Sequence, residues 1–202
     1  MSTNITPRTG GRLRNEEARQ SVLEATAALL LENGYGALTI EGVAKRANVA
    51  KSTVYRWWKG KPELVMDASV HTPEADTESG PEPDTGTLAG DLTAFLADLY
   101  ATAGDPVRAR ALTGLAAEAQ LDPGSAAPFR AWARTRRDLV RALFARAVAR
   151  EEIDAATDPD RAADLVLGPF WYRLLVEGAA PDPADAGTHV ASVLQRRVVS
   201  PE

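Results

Sequence analysis

The sequence predicts an all-α fold, a small N-terminal group of short helices followed by a larger helical bundle, and three observations carry that reading. Apolar residues recur at the three- and four-residue spacing of helices, with no sustained alternation of the kind strands need. Helix-ending groups such as Asn33-Gly34, Gly104-Asp105-Pro106 and Asp158-Pro159 cut the chain into helix-length pieces. Residues 72–86 read TPEADTESGPEPDTG, with three prolines, two glycines, five acidic residues and no large apolar side chain. This acidic Pro/Gly-rich loop cannot pack a core and marks the domain boundary.

A length of 202 residues, 45% apolar and 25% charged, is that of an ordinary globular protein with enough chain to bury a core. There is no cysteine, which removes disulfides, zinc-thiolate sites and thiol catalysis. The start has no apolar signal core, and the most apolar run, 165–176, contains Arg173 and is too short to span a bilayer. A cytoplasmic location with no membrane partner is therefore expected. The net charge of −5 conceals a split. Residues 1–62 carry ten basic and five acidic side chains, net +5, whereas the other 140 residues are net −10. Every lysine lies between positions 45 and 61. A basic head on an acidic body is the charge pattern of a nucleic-acid binder.

A flexible basic arm is expected over 1–14, including Arg12 and Arg14, ahead of a helix over 15–33 that stops at Asn33-Gly34. Thr39 caps a short helix over 39–46, with Ile40, Val43 and Ala44 turned inward. Asn48-Val49 then turns the chain into a third helix over 50–57, and Lys61-Pro62 opens a fourth over 61–71. This domain, 15–71, leads through 72–86 to a second, 87–202. There, helices are expected over 87–103, 106–121, 124–151, 158–178 and 183–199.

Two short helices joined by a tight turn, with a longer helix in front, make a helix-turn-helix. To enter a major groove, the second short helix must be packed inside and carry hydrogen-bonding side chains outside. Val49, Val54 and Trp57 or Trp58 supply the packing, and Lys51, Ser52, Thr53, Tyr55 and Arg56 the polar side. Lys59 and Lys61 follow where the chain passes the phosphates. The run Leu38-Thr39-Ile40, then Val43-Ala44, then Ala47 through Trp58, then Lys61 and Leu64 resembles the DNA-binding domain of TetR-family transcriptional regulators over about 19–65. The resemblance implies that Thr39 contacts phosphate, that Lys51, Ser52 and Thr53 face base edges, and that Tyr55 and Lys61 hold the DNA backbone. Arg12 and Arg14 would reach a groove or a phosphate. Asn48 stands where the family usually has Gly, and Asn tolerates left-handed backbone. Ala50 stands where Ser often caps the recognition helix, a loss of roughly 1 kcal/mol.

By the same resemblance, 87–202 is a helical ligand-binding and dimerisation domain whose last two long helices form a four-helix bundle with those of a second copy. The helix over 158–178 is apolar nearly all round, which suits packing on its own domain and on a partner. Val166, Phe170, Leu174, Val190, Val193, Leu194 and Arg197 are the expected homodimer interface. Pro169 removes a helical hydrogen bond and opens space. Phe95, Leu99, Tyr100, Phe129, Trp132 and Trp171 are the candidates to line a site for an unidentified small-molecule effector. Arg130, Arg134, Arg137 and Arg141 read as a solvated basic face.

Catalysis is not expected, since the chain has only His71 and His189, no Glu-x-x-His pair and no glycine-rich phosphate loop. No cofactor and no metal are expected. The function implied is a dimeric repressor of palindromic double-stranded operator DNA, released by a small molecule. A regulator governed by a protein partner fits the same residues, and a cavity in the body discriminates the two.

Overall fold

A computed structural model describes residues 9–70 and 82–195, and every regular element among them is helical. The helices are α1 (Thr9–Ala37), α2 (Ile40–Arg46), α3 (Lys51–Trp57), α4 (Lys61–Val70), α5 (Leu88–Gly104), α6 (Pro106–Leu121), α7 (Ala127–Ala149), α8 (Pro159–Tyr172) and α9 (Ala186–Gln195). None of them is long and apolar enough to cross a membrane. Their starts follow local chemistry. Thr39 and Thr87 each accept from the amide three residues on, at 3.1 Å, while Asp105 and Asp158 cap α6 and α8 with carboxylates. Each side chain supplies an acceptor that the first turn of a helix lacks.

Three helix starts differ from the sequence reading. Helix α1 begins at Thr9, so Arg14 is an exposed helical residue rather than part of a loose arm; the Arg12 side chain lies outside the described residues. Regular backbone breaks at Gly34, φ 74°, as expected, and Tyr35–Ala37 add one more turn. Helices α7 and α9 start late, because Pro123–Ser125 and Pro183–Asp185 form tighter 3-10 turns capped by Asp122 and Asp182.

Leu30, Val43, Val54, Trp58, Leu64 and Val65 from α1 to α4 close the core of the head. That core is completed by Val107, Ala111 and Leu115 of α6. Leu112, on the other face of α6, joins a second core with α5, α7, α8 and α9. The head and the body therefore share a helix. Arg108 Nε donates to Ser69 O at 3.1 Å, in the last turn of α4, and Arg110 donates to Leu30 O and Leu31 O ahead of the Gly34 break. Cations at these carbonyls also meet the negative ends of two helix dipoles. Gly114 lies against Tyr35, where an added Cβ would stand 2.3 Å from both Cβ and Cγ of the tyrosine.

In the body, Asp91 of α5 is completely buried. It accepts from Thr85 N at 2.6 Å, Thr85 Oγ1 at 2.9 Å, Arg146 Nη2 at 3.0 Å and Arg150 Nη2 at 3.2 Å. Burial pushes its carboxyl up, but the Thr85 donors and the two guanidiniums outweigh that and hold it at about 2. Glu82 and Asp84 pair with the same two arginines. The end of the acidic stretch is thus bound to α7, while residues 72–81 lie outside the described residues.

Pro169 sits inside α8, and the Leu165 carbonyl it leaves without a helical donor accepts from His189 Nε2 at 3.4 Å. Tyr100 donates its hydroxyl to His189 Nδ1 at 2.5 Å. The imidazole serves as a neutral side-chain donor in place of a missing amide, and burial pushes its pKa down accordingly.

Asp91→Ala removes the counter-charge of Arg146 and Arg150 and should lower unfolding stability by about 3 kcal/mol in a denaturant titration. The folded carboxyl titrates at about 2 against an ordinary 3.8. Its contribution is therefore complete above about pH 4 and is lost as the pH falls toward 2. The parent chain should lose more stability over that interval than the variant. Gly114→Val drives carbon into the Tyr35 ring and should cost about 1–3 kcal/mol; an unchanged melting temperature would contradict the contact.

Candidate nucleic-acid interface

Asn48 takes φ 53° between α2 and α3, and Val49 N donates to Ala44 O at 3.0 Å. This is the tight left-handed turn that Asn was expected to tolerate. Helix α3 starts at Ala50 without a side-chain cap, as expected. A seven-residue helix has almost no stability alone, so its position comes from packing. Val54 is sealed in the head core, and Trp58 Nε1 donates to Asp67 Oδ2 of α4 at 2.8 Å. The same oxygen accepts from Arg19 Nη2 of α1 at 2.7 Å. Trp58 is thus the core tryptophan, and Trp57 packs edge-on against it at 5.5 Å.

The outer face of α3 presents Lys51, Ser52, Tyr55 and Arg56 to solvent, with Thr53 half-buried beside them. Lys51 pairs with Glu41 of α2 and lies 5.6 Å over the Tyr55 ring; the hydrogen bond to Glu41 raises its pKa. An exposed pair of this kind is weak and screened by water, so the ammonium is available to a phosphate. Arg56 lies 4.8 Å over Trp57 and donates to Asn15 Oδ1 at 2.7 Å, which ties α3 to α1. Thr39 is exposed at the start of α2. The Lys59 side chain is exposed, and its amide donates to Glu63 Oε2 at 2.7 Å, closing the turn into α4.

Lys61 departs from the expectation. Its Nζ lies 4.1 Å from the centre of the Tyr35 ring, donates to Tyr35 O at 3.2 Å and stands 3.7 Å from Glu118 Oε2 of α6. These contacts hold its ammonium at the joint between head and body, apart from the exposed face of α3. Local spacing carries no sign of this, because its partners lie far off in sequence.

The body residues are also redistributed. Phe95 and Leu99 are plain core on the inward face of α5, and Tyr100 is engaged with His189. Phe129, Trp132 and Phe170 meet Trp171 edge-on at 5.6, 5.9 and 5.0 Å. Rather than surrounding one cavity, these rings pack on one another. Clefts of about 310 and 470 Å³ open instead on either side of α8, with Tyr100 lining the first and Trp171 the second. Val166, Phe170, Leu174, Val190 and Val193 face the chain's own core, Leu194 is half-buried, and Arg197 lies outside the described residues. The apolar side chains that α8 and the turn after it turn outward are Tyr172, Leu175 and Val176. A helix apolar on all sides does not reveal which half its own domain will take.

Residues 22–68 match the model of the tetR family of bacterial regulatory proteins, and residues 82–193 match that of the tetracyclin repressor-like C-terminal domain. The HTH-type transcriptional regulator YdeS of Bacillus subtilis (strain 168) is 33% identical over 171 residues, covering 83% of each chain. Among solved structures, the TetR family transcription regulator SCO0332 superposes with a TM-score of 0.67 at 32% identity, over 92% of this chain and 100% of its own. FadR from Bacillus subtilis, solved in complex with stearoyl-CoA, has a TM-score of 0.71 at 15% identity over 90% and 99% of the two chains, a likeness of fold. With both of its domains matched and a relative aligned over most of its length, the chain belongs to the TetR family of DNA-binding transcriptional regulators.

Proposed function

We propose that this regulator is a homodimeric repressor that holds an approximately palindromic operator and leaves it when a small-molecule effector occupies the body. The observation that carries the reading is the division of α3 into a buried side, Val54 with Trp58 just beyond it, and an exposed side bearing Lys51, Ser52, Tyr55 and Arg56. Donors on one face of a short, rigidly seated helix suit base edges in a major groove. Thr39, Tyr55 and Lys59 flank them where phosphates run, and phosphate contacts set register. Tyr172, Leu175 and Val176 offer a second copy the apolar surface that α8 does not bury itself.

The stearoyl-CoA held by the Bacillus FadR structure supports an effector rather than a protein partner. Helix α6 supplies the route, since it is packed in both cores. An effector shifts the spacing of the two heads only through its differential affinity for the two states, about 1–3 kcal/mol, and operator must weaken effector binding by the same factor.

Selection from a random duplex pool should enrich an inverted repeat with half-sites about 10 base pairs apart or a multiple of that. Enrichment of a lone half-site would contradict the dimeric reading. Log affinity should fall linearly with log salt. Lys59→Ala should flatten that slope by about one unit, whereas Lys61→Ala should leave it unchanged, because its ammonium is engaged with Tyr35 and Glu118. Val176→Asp should yield monomers in light scattering; a dimer that survives it removes the exposed apolar surface just after α8 from the interface.

A further inference from the structure

The arginine row of α7 is neutralised along only part of its length, and the remainder faces a groove. Arg130, Arg134, Arg137 and Arg141 recur at three- and four-residue spacing, so they share one face of the helix. Helix α8 packs against α7 and supplies acids to two of them. Asp164 accepts from Arg137 at 2.5 Å, and Asp160 stands 3.2 Å from Arg137 and 3.5 Å from Arg141. One and two turns further along α8, where acids would meet Arg134 and Arg130, the residues are Gly168 and Trp171. Neither Arg130 nor Arg134 has a side-chain hydrogen-bond or ion-pair partner among the described residues.

The groove left there is about 470 Å³, and a Cβ added at Gly168 would meet nothing within 4 Å. Its lining holds three guanidiniums and one carboxylate, on a part of the chain where acids outnumber bases. Trp171 forms the apolar wall, and three rings brace it from behind, so presenting it to a ligand requires little further ordering.

We propose that this groove binds an aromatic carboxylate, with the acid beside Gly168 between Arg130 and Arg134 and the ring against Trp171. A carboxylate takes paired hydrogen bonds from guanidinium groups, and a flat ring packs well on indole. A neutral aromatic lacks the first contact and an aliphatic acid the second. As the seat of an effector, the groove rests on the ligand-released reading above; as a binding site, it stands on its own geometry.

The test is calorimetric titration of the full-length protein with naphthoate and with neutral naphthalenemethanol, each with and without operator duplex. Naphthoate should bind saturably, about tenfold or more tighter than the alcohol. Arg134→Gln and Arg130→Gln should each weaken naphthoate by about tenfold and leave the alcohol unchanged. Both alter exposed side chains, and circular dichroism checks that they remain helical. Gly168→Leu keeps every charge but fills the groove, and should weaken both compounds. No saturable binding of naphthoate, or an affinity indifferent to Arg134→Gln and Gly168→Leu, overturns the proposal. Naphthoate bound in the groove with operator affinity unaltered upholds the site and overturns release through it. Operator release by naphthoate that survives Arg134→Gln and Gly168→Leu upholds an effector and overturns this groove as its seat.

Discussion

The insertion of one face of α6 into the head is the contact on which the rest of the structure depends. Helices α2 and α3 have seven residues each, too few to hold their own shape in water. Their core closes only because Val107, Ala111 and Leu115 cover it from the body side. The same helix carries Arg108 and Arg110 to the carbonyl ends of α4 and α1, Gly114 to the Tyr35 ring and Glu118 to Lys61. Apolar packing, helix-end capping and ion pairing thus converge on a single element. Close-packed interiors transmit displacement rather than absorbing it, so movement of α6 within the body is felt by α1 and α4 together.

That arrangement also explains what the sequence could and could not disclose. The head was legible because its geometry is local. Thr39 caps the amide of Gly42, Asn48 takes a positive φ, and the buried position of Val54 follows from its place in a motif of fixed spacing. The contacts of Lys61 with Tyr35 and Glu118 were not legible, because a lysine after α3 looks the same in sequence whatever distant side chains it meets. Which side of α8 its own domain would bury was not legible for a related reason. Its apolar residues surround the helix, so periodicity carries no phase, and only the positions of α5, α7 and α9 decide that Val166 and Phe170 go inward and Tyr172 outward. Pro169 was visible as an interruption, but the imidazole that repairs it comes from α9.

The body shows how an acidic composition can be held together by comparatively few bases. Arg146 of α7 and Arg150 just beyond its end gather Glu82, Asp84 and Asp91, while Arg137 and Arg141 gather Asp160 and Asp164. Charged side chains here fasten the end of the acidic stretch to α7, and on the first turns of α8 they flank an apolar contact with α7 that Ala162, Ala163 and Val166 already make. The pairs on buried Asp91 are costly to break from one side, whereas the exposed pairs of Arg137 and Arg141 mark geometry more than they add stability.

The uncapped start of α3 has a meaning for how such regulators diversify. Its position comes chiefly from Val54 and Trp58, and the outward-facing Arg56 and Lys51 add only exposed contacts with Asn15 and Glu41. Substitutions at exposed sites typically change stability by less than about 0.5 kcal/mol. Ser52 and its exposed neighbours are therefore free to vary without the fold resisting. After a gene duplication, two copies could drift to different binding sequences through a handful of surface changes while their cores stayed identical. The residues that seat this helix and the residues it exposes are largely separate sets, and selection can act on one without disturbing the other.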